Sequence, residues 1–191
     1  MNKFLLPTLF AALLLPVRAA DQAKPGAKPA PVTATFYITE VKCSSCVSSI
    51  EESLRKVPTV TKVADLSENT GFAVITFDPQ TVSYHQVAQA VFAAAPVHSD
   101  VYVASLKFSI PAYAKGENAA KVDAIFAKHK SNVRVELKNK ARGEFVLFFE
   151  PLAVSAVKKG PQGWNLDQFV SAIQEPAPKG LGLAFEVKSE N

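Results

Sequence analysis

Apolar and polar positions along this chain switch repeatedly between a two-residue and a three-to-four-residue period, the mark of strands alternating with helices. The apolar run Phe36-Tyr37-Ile38-Thr39-Glu40-Val41 predicts a strand over about 34–41. Val47, Ile50, Leu54 and Val57 then recur at helical spacing and predict a helix over about 46–56, which Pro58 stops. Strands follow at about 60–66 and 72–77, joined by the turn-rich Ser67-Glu68-Asn69-Thr70-Gly71. Ser83 is placed to cap a helix running to about Ala94, with Val87, Ala90, Val91 and Ala94 on its apolar face. A further strand begins near Asp100. The order is βαββαβ.

That order then runs again. Phe108-Ser109-Ile110 reads as a strand, and residues 118–129 as a helix with Val122, Ile125 and Phe126 on one face. Val133, Val135 and Leu137 alternate with charged residues, as a half-buried strand requires. After a turn at 139–143 come the strand Phe145-Val146-Leu147-Phe148-Phe149, a helix at about 165–174 and a strand at about 183–188. Phe149-Glu150-Pro151 lies 72 positions after Phe77-Asp78-Pro79, and the two helices at 46 and 118 share that offset. A common offset across several elements signals an internal repeat. The fold class expected is α+β, with tandem ferredoxin-like βαββαβ modules at 34–104 and 105–191. Residues 101–110 read as one strand-like run, so the modules should be held closely; a single larger sheet formed by both halves is the alternative. The second module carries Lys115 and Asn118 where the first has Cys43 and Cys46, and an insertion at about 152–164 that contains Trp164.

The N-terminus is of a different kind. Met1-Asn2-Lys3 is a short positive start, Phe4 to Val17 is almost wholly apolar, and small residues follow at Ala19 and Ala20. This is the pattern of a secretory signal peptide over 1–20, too short and too proline-broken for a comfortable membrane span. Residues 21–33 form a Pro/Ala/Lys-rich stretch with nothing to bury, expected to be a disordered tether. The mature protein is then exported, periplasmic or extracellular, with no membrane span once the leader is removed. Without Lys3 and Arg18 the charge is 19 basic against 17 acidic residues, too balanced to argue for nucleic acid.

Cys43 and Cys46 are the only cysteines, and they flank Ser44 and Ser45 where a strand hands over to a helix. Two thiols at this spacing can hold one soft metal ion or close a small disulfide loop. Unpaired N–H groups and the positive dipole end of the helix favour thiolates there, and Lys42 adds positive charge. An oxidising compartment pulls toward the disulfide unless a metal or reductant intervenes. The single methionine, Met1, leaves with the leader, which argues against a thioether copper site. No catalytic triad, carboxylate pair or phosphate loop is visible, so an enzyme is not expected.

The first module resembles the heavy-metal-associated (HMA) domain family, which includes copper chaperones, the N-terminal domains of metal pumps and the periplasmic mercury-binding protein. The resemblance covers about residues 34–106. It is carried by Val41-Lys42-Cys43-Ser44-Ser45-Cys46, Ser49-Ile50-Glu51-Glu52-Ser53-Leu54, Val60-Thr61-Lys62-Val63 and Val74-Ile75-Thr76-Phe77-Asp78-Pro79. It implies that Cys43 and Cys46 bind a soft ion, Cu(I), Hg(II) or Zn(II), and pass it by ligand exchange to or from a metal donor or acceptor protein, such as a membrane metal transporter. Two departures stand out. Val41 replaces the methionine that usually fills the core beneath the cysteine loop, and Ala95-Pro96-Val97 stands where Gly-Tyr is common.

His98 follows the second helix, in the loop that lies beside the cysteine loop in such a fold, and is a candidate third ligand or a plain surface residue. His85 and His129 are expected at the surface or at an edge. Lys42, Arg55, Lys56 and Lys62 are either a docking face for an acidic partner or a solvated face. Trp164 is either a partner-binding tip or a core plug. Two other functions stay open: an interaction or scaffold protein whose cysteines are structural or vestigial, and a thiol–disulfide oxidoreductase.

Overall fold

The computed structural model describes residues 30–155 and 158–190. The leader and most of the tether lie outside the described residues. Val32 and Thr33, expected in the tether, already pair with Phe77 and Thr76. They open β1 (Val32–Ile38), followed by α1 (Ser44–Arg55), β2 (Lys62–Ala64), β3 (Phe72–Phe77), α2 (Tyr84–Phe92) and β4 (Ala104–Ser109). The chain continues through α3 (Asn118–Lys128), β5 (Val133–Asn139), β6 (Glu144–Phe149), α4 (Asp167–Gln174) and β7 (Glu186–Val187).

All seven strands belong to one sheet, ordered β2-β3-β1-β4-β6-β5, with β7 paired to β4. Two βαββαβ units are visible in it, and they share a strand. β4 ends the first unit beside β1, through Tyr37 opposite Ser105 and Ile38 opposite Ala104. The same strand opens the second unit, with β6 along its other edge and β7 beside Phe108 and Ser109. The continuous run expected over 101–110 is this single six-residue strand, and it joins both halves in one larger sheet, the alternative to two separate modules. A short apolar run cannot reveal from sequence that each of its edges serves a different module.

Element ends differ from expectation where the backbone turns. Glu40 and Asp65 adopt left-handed φ of 67° and 60°. Extended pairing cannot pass such residues, so β1 stops at Ile38 instead of 41, and β2 at Ala64 instead of 66. α2 begins as expected: the Ser83 side chain accepts from the Gln86 N–H while the Gln86 side chain accepts from the Ser83 N–H. The last strand shrinks from 183–188 to two residues.

The helices cover one face of the sheet. Phe36, Ile38, Ala104, Leu106 and Phe108 share that face by the two-residue period and the register. Phe36 meets Tyr84 of α2, and Phe108 meets Phe126 of α3 and Phe169 of α4. Phe36, Ile50, Leu54, Ile75, Phe77, Leu106, Leu147, Phe169 and Ile173 are almost fully enclosed in one continuous core. Each such side chain stabilises the fold by roughly 1.5–3 kcal/mol. On the opposite face Tyr37 carries Lys107 over its ring and donates to Glu190, which fastens the chain end across the sheet.

Trp164 is completely buried, against Phe149 and Phe169, so the insertion delivers a core plug and not an exposed tip. His85, expected at the surface, is likewise enclosed. Its Nδ1 accepts from the Trp164 N–H, which leaves Nε2–H to donate to the Glu150 carbonyl at 2.6 Å. Ser83 donates to the Gln162 carbonyl, and the Gln162 N–H donates to the Gln86 side chain. The insertion therefore folds back 79 residues to cover the start of α2, a burial that the polar first turn of a helix does not announce. His129 sits at an edge, half-buried against Phe169, as expected.

Candidate metal centre

The β1–α1 junction is arranged by backbone geometry. Val41 is buried in the core beneath the loop, and the left-handed Glu40 turns the chain toward α1. Cys43 is the N-cap: its carbonyl accepts from the N–H groups of Cys46 and Val47 at 3.0 and 3.2 Å, and its sulfur accepts from the Cys46 N–H at 3.4 Å. The helix thus begins two residues earlier than expected, and Cys46 lies inside its first turn. Cys46 is fully buried and Cys43 half-buried; Ser44 and Ser45 are exposed. Both cysteines are free thiols, with their sulfurs 3.1 Å apart.

Tyr102 is a residue that the sequence did not single out. It is buried at the entry to β4, and its hydroxyl oxygen accepts from the Val97 N–H at 3.2 Å. The hydroxyl lies against Cys46 and is the main reason the Cys46 thiol is drawn down to about 6, with Cys43 and the nearby backbone N–H groups adding to it. Tyr102 moves the other way, raised by burial and by the adjoining thiolate. The site therefore favours the Cys46 thiolate, the form that ligates soft metals.

The 93–101 segment closes the site from the far side. Ser49 donates to the Ala95 carbonyl at 2.7 Å and Ser53 to the Ala90 carbonyl at 2.6 Å, tying α1 to the end of α2. Lys42 bridges the two loops, 2.5 Å from Glu40 and 3.1 Å from Asp100, and these partners raise its pKa. His98 is exposed on this segment, and its ring lies with both sulfurs: the three ligand atoms are all within 4.8 Å of one another. The chemistry of that set, two thiols and an imidazole, suits a soft or borderline cation. The cations of the first module are mostly matched locally, Arg55 by Glu51 and Lys56 by Glu52, which is the pattern of a solvated face.

In the second module the equivalent loop holds Lys115 and Asn118, and the Asn118 side chain donates to the Ala112 carbonyl. The set of Cys43, Cys46 and His98 is the one cluster with metal-ligating geometry among the described residues. No helix among them is long and apolar enough to cross a membrane.

Two relatives align with this chain over 90 residues, 47% of its length and 87% of theirs. The periplasmic component of the mercuric transport protein of Pseudomonas fluorescens is 32% identical, and its counterpart from an Alcaligenes species 30%. No protein-family model matches the chain. Among solved structures, the water-soluble region of the P-type ATPase CopA from Bacillus subtilis superposes with a TM-score of 0.36 at 15% identity. It covers 83% of this chain and 91% of that one. The N-terminal soluble domains of the same ATPase superpose with a TM-score of 0.34 at 16% identity, covering 83% and 94%.

Proposed function

The chain belongs to the heavy-metal-associated family that includes the periplasmic mercuric transport components, and on that premise we propose that it is an exported, non-enzymatic carrier of one soft metal ion. The cargo is Cu(I), Hg(II) or Zn(II), held by the thiolates of Cys43 and Cys46 and exchanged with a metal donor or acceptor protein, a membrane metal transporter among them. The observation that carries this reading is the unequal pair of thiols. Cys46 is the buried sulfur, fixed in the first turn of α1, so it serves as the anchor. Cys43 is half-buried beside exposed Ser44 and Ser45, so a partner's thiol can reach the ion from that side.

Ligand exchange follows from this asymmetry. The ion enters past Cys43 and settles on Cys46, displacing protons to solvent. An incoming thiolate then takes the place of the exposed Cys43 sulfur while the buried anchor holds on until last. A thiol–disulfide oxidoreductase needs the opposite arrangement, with the activated thiolate at the surface to attack, so the site favours holding an ion over redox exchange. The thiol-free second module, bound to α2 through the insertion, then supports the carrier and offers a docking body.

Competition of the reduced protein against chromophoric chelators tests this. Better than micromolar affinity for at least one of Cu(I), Hg(II) and Zn(II), abolished in Cys43→Ser, is expected. Uptake of none of them overturns the proposal, and insulin reduction that depends on Cys46 would install the oxidoreductase in its place.

A further inference from the structure

We propose that His98 is a third ligand, so that this chain holds its ion in a three-coordinate site of two sulfurs and one nitrogen; the inference rests on the carrier reading above. Binding an ion requires the two sulfurs to open. They stand 3.1 Å apart. At a metal–sulfur distance of about 2.3 Å, linear two-sulfur coordination needs them about 4.6 Å apart, whereas trigonal coordination needs about 4.0 Å. The loop must open by about 1.5 Å for the first and about 0.9 Å for the second. Cys46 has little room for that movement, because its side chain is fully buried in the first turn of α1. Most of it falls on the half-buried Cys43, itself the cap of the same helix. The smaller opening is the one that this junction accommodates, and it leaves one coordination position facing the 93–101 segment.

The imidazole lies close to that position. Its ligating nitrogen lies within 4.8 Å of both sulfurs, and a trigonal site with a metal–nitrogen bond of about 2.0 Å needs about 3.7 Å. The approach is therefore about 1 Å or less. An exposed histidine ordinarily wanders, but this one sits on a segment anchored on both sides. Before it, the Ala95 carbonyl is held by Ser49 of α1 and the Val97 N–H by the buried Tyr102. After it, Asp100 is held by Lys42, the neighbour of Cys43. Each anchor ties the histidine segment directly to the cysteine site. A harder nitrogen donor also widens the range of ions from strictly thiophilic ones toward borderline ones such as Zn(II).

X-ray absorption at the copper edge of the reduced full chain, loaded with one equivalent of Cu(I), reads the ligand shell directly. Two sulfurs and one nitrogen are expected in the wild type, and two sulfurs alone in His98→Ala. The substitution removes an exposed side chain and should leave the circular dichroism spectrum unchanged. Cu(I) affinity by chelator competition should fall roughly tenfold or more, the scale on which groups around a metal centre act. A two-sulfur shell in the wild type, or an unchanged shell in His98→Ala, overturns the third ligand and leaves the carrier reading standing. A reduced wild type that takes up no Cu(I), Hg(II) or Zn(II) overturns both.

Discussion

Replacing Tyr102 by Phe removes one oxygen atom and separates two sources of thiolate stabilisation at the site. The hydroxyl is the leading cause of the depressed Cys46 thiol, ahead of Cys43 and the backbone N–H groups of the helix start. With its pKa at about 6, Cys46 is roughly 90% thiolate at pH 7; at the ordinary value of about 8.5 it would be roughly 3%. Full loss of the depression would thus cut the thiolate population about thirtyfold. Because the hydroxyl leads several contributions, at least a fivefold loss is expected, by the same roughly logarithmic scale. The intrinsic reactivity of a thiolate rises with its pKa and offsets part of the rate, so the midpoint of the pH–rate profile is the better quantity. The assay is iodoacetamide alkylation of metal-free, reduced protein in a Cys43→Ser background, which leaves a single thiol to follow. Within that background, where the Cys43 contribution is already gone, the midpoint should rise further, by about a unit, in Tyr102→Phe. The variant should also lose about 1 kcal/mol of stability, because the Val97 N–H loses its acceptor. The sign of the pH dependence is fixed as well. A thiol depressed in the folded state adds stability that is fully present above the ordinary thiol value and is lost as pH falls through about 6. Tyr102→Phe should flatten that slope. A midpoint equal in the two proteins, with and without the hydroxyl, refutes its role and assigns the depression to the helix N-terminus.

Gly163→Ala should be severe. Gly163 has φ of 75°, and an added Cβ would come within 2.6 Å of His85 Nδ1. Left-handed strain together with displacement of His85 should cost about 2–4 kcal/mol, seen as a fall of about 5–10 °C in Tm with loss of the near-ultraviolet signal of Trp164; a shift below 1 °C would contradict the packing described. His85 supplies a pH dependence of its own: burial lowers its pKa, so the unfolded chain takes up a proton first as pH falls below about 6.5. The urea midpoint should therefore drop between pH 7 and 5, and this part of the slope should vanish in His85→Gln; an unchanged slope would show that the buried imidazole is not its source.

The pattern of apolar positions carried most of the fold. All four helices lie where their spacing predicts, because each has an apolar stripe facing the core, and the N-cap at Ser83 marked one start to the residue. The 72-residue offset exposed the repeat, since strand ends such as Phe77-Asp78-Pro79 and Phe149-Glu150-Pro151 are local signals. Shared use of β4 was not legible, because pairing on two edges leaves no mark on a six-residue strand. The cysteines were legible through their spacing at a strand-to-helix junction. Tyr102 was not, because its part depends on a hydroxyl brought beside Cys46 from 56 positions away by the return of α2. His85 was misplaced for a similar reason: the polar first turn of α2 looks solvated until the distant insertion covers it.

The central claim is that one soft ion is held by the two cysteines of the first module. Native mass spectrometry of the reduced protein with one equivalent of Hg(II), beside Cys46→Ser, tests it most directly. The account predicts a single bound ion per chain in the wild type, with two protons displaced, and its loss in competition with a thiol chelator only in the variant. A wild-type chain that keeps the mass of the metal-free dithiol, or that holds its ion equally well without Cys46, would contradict it.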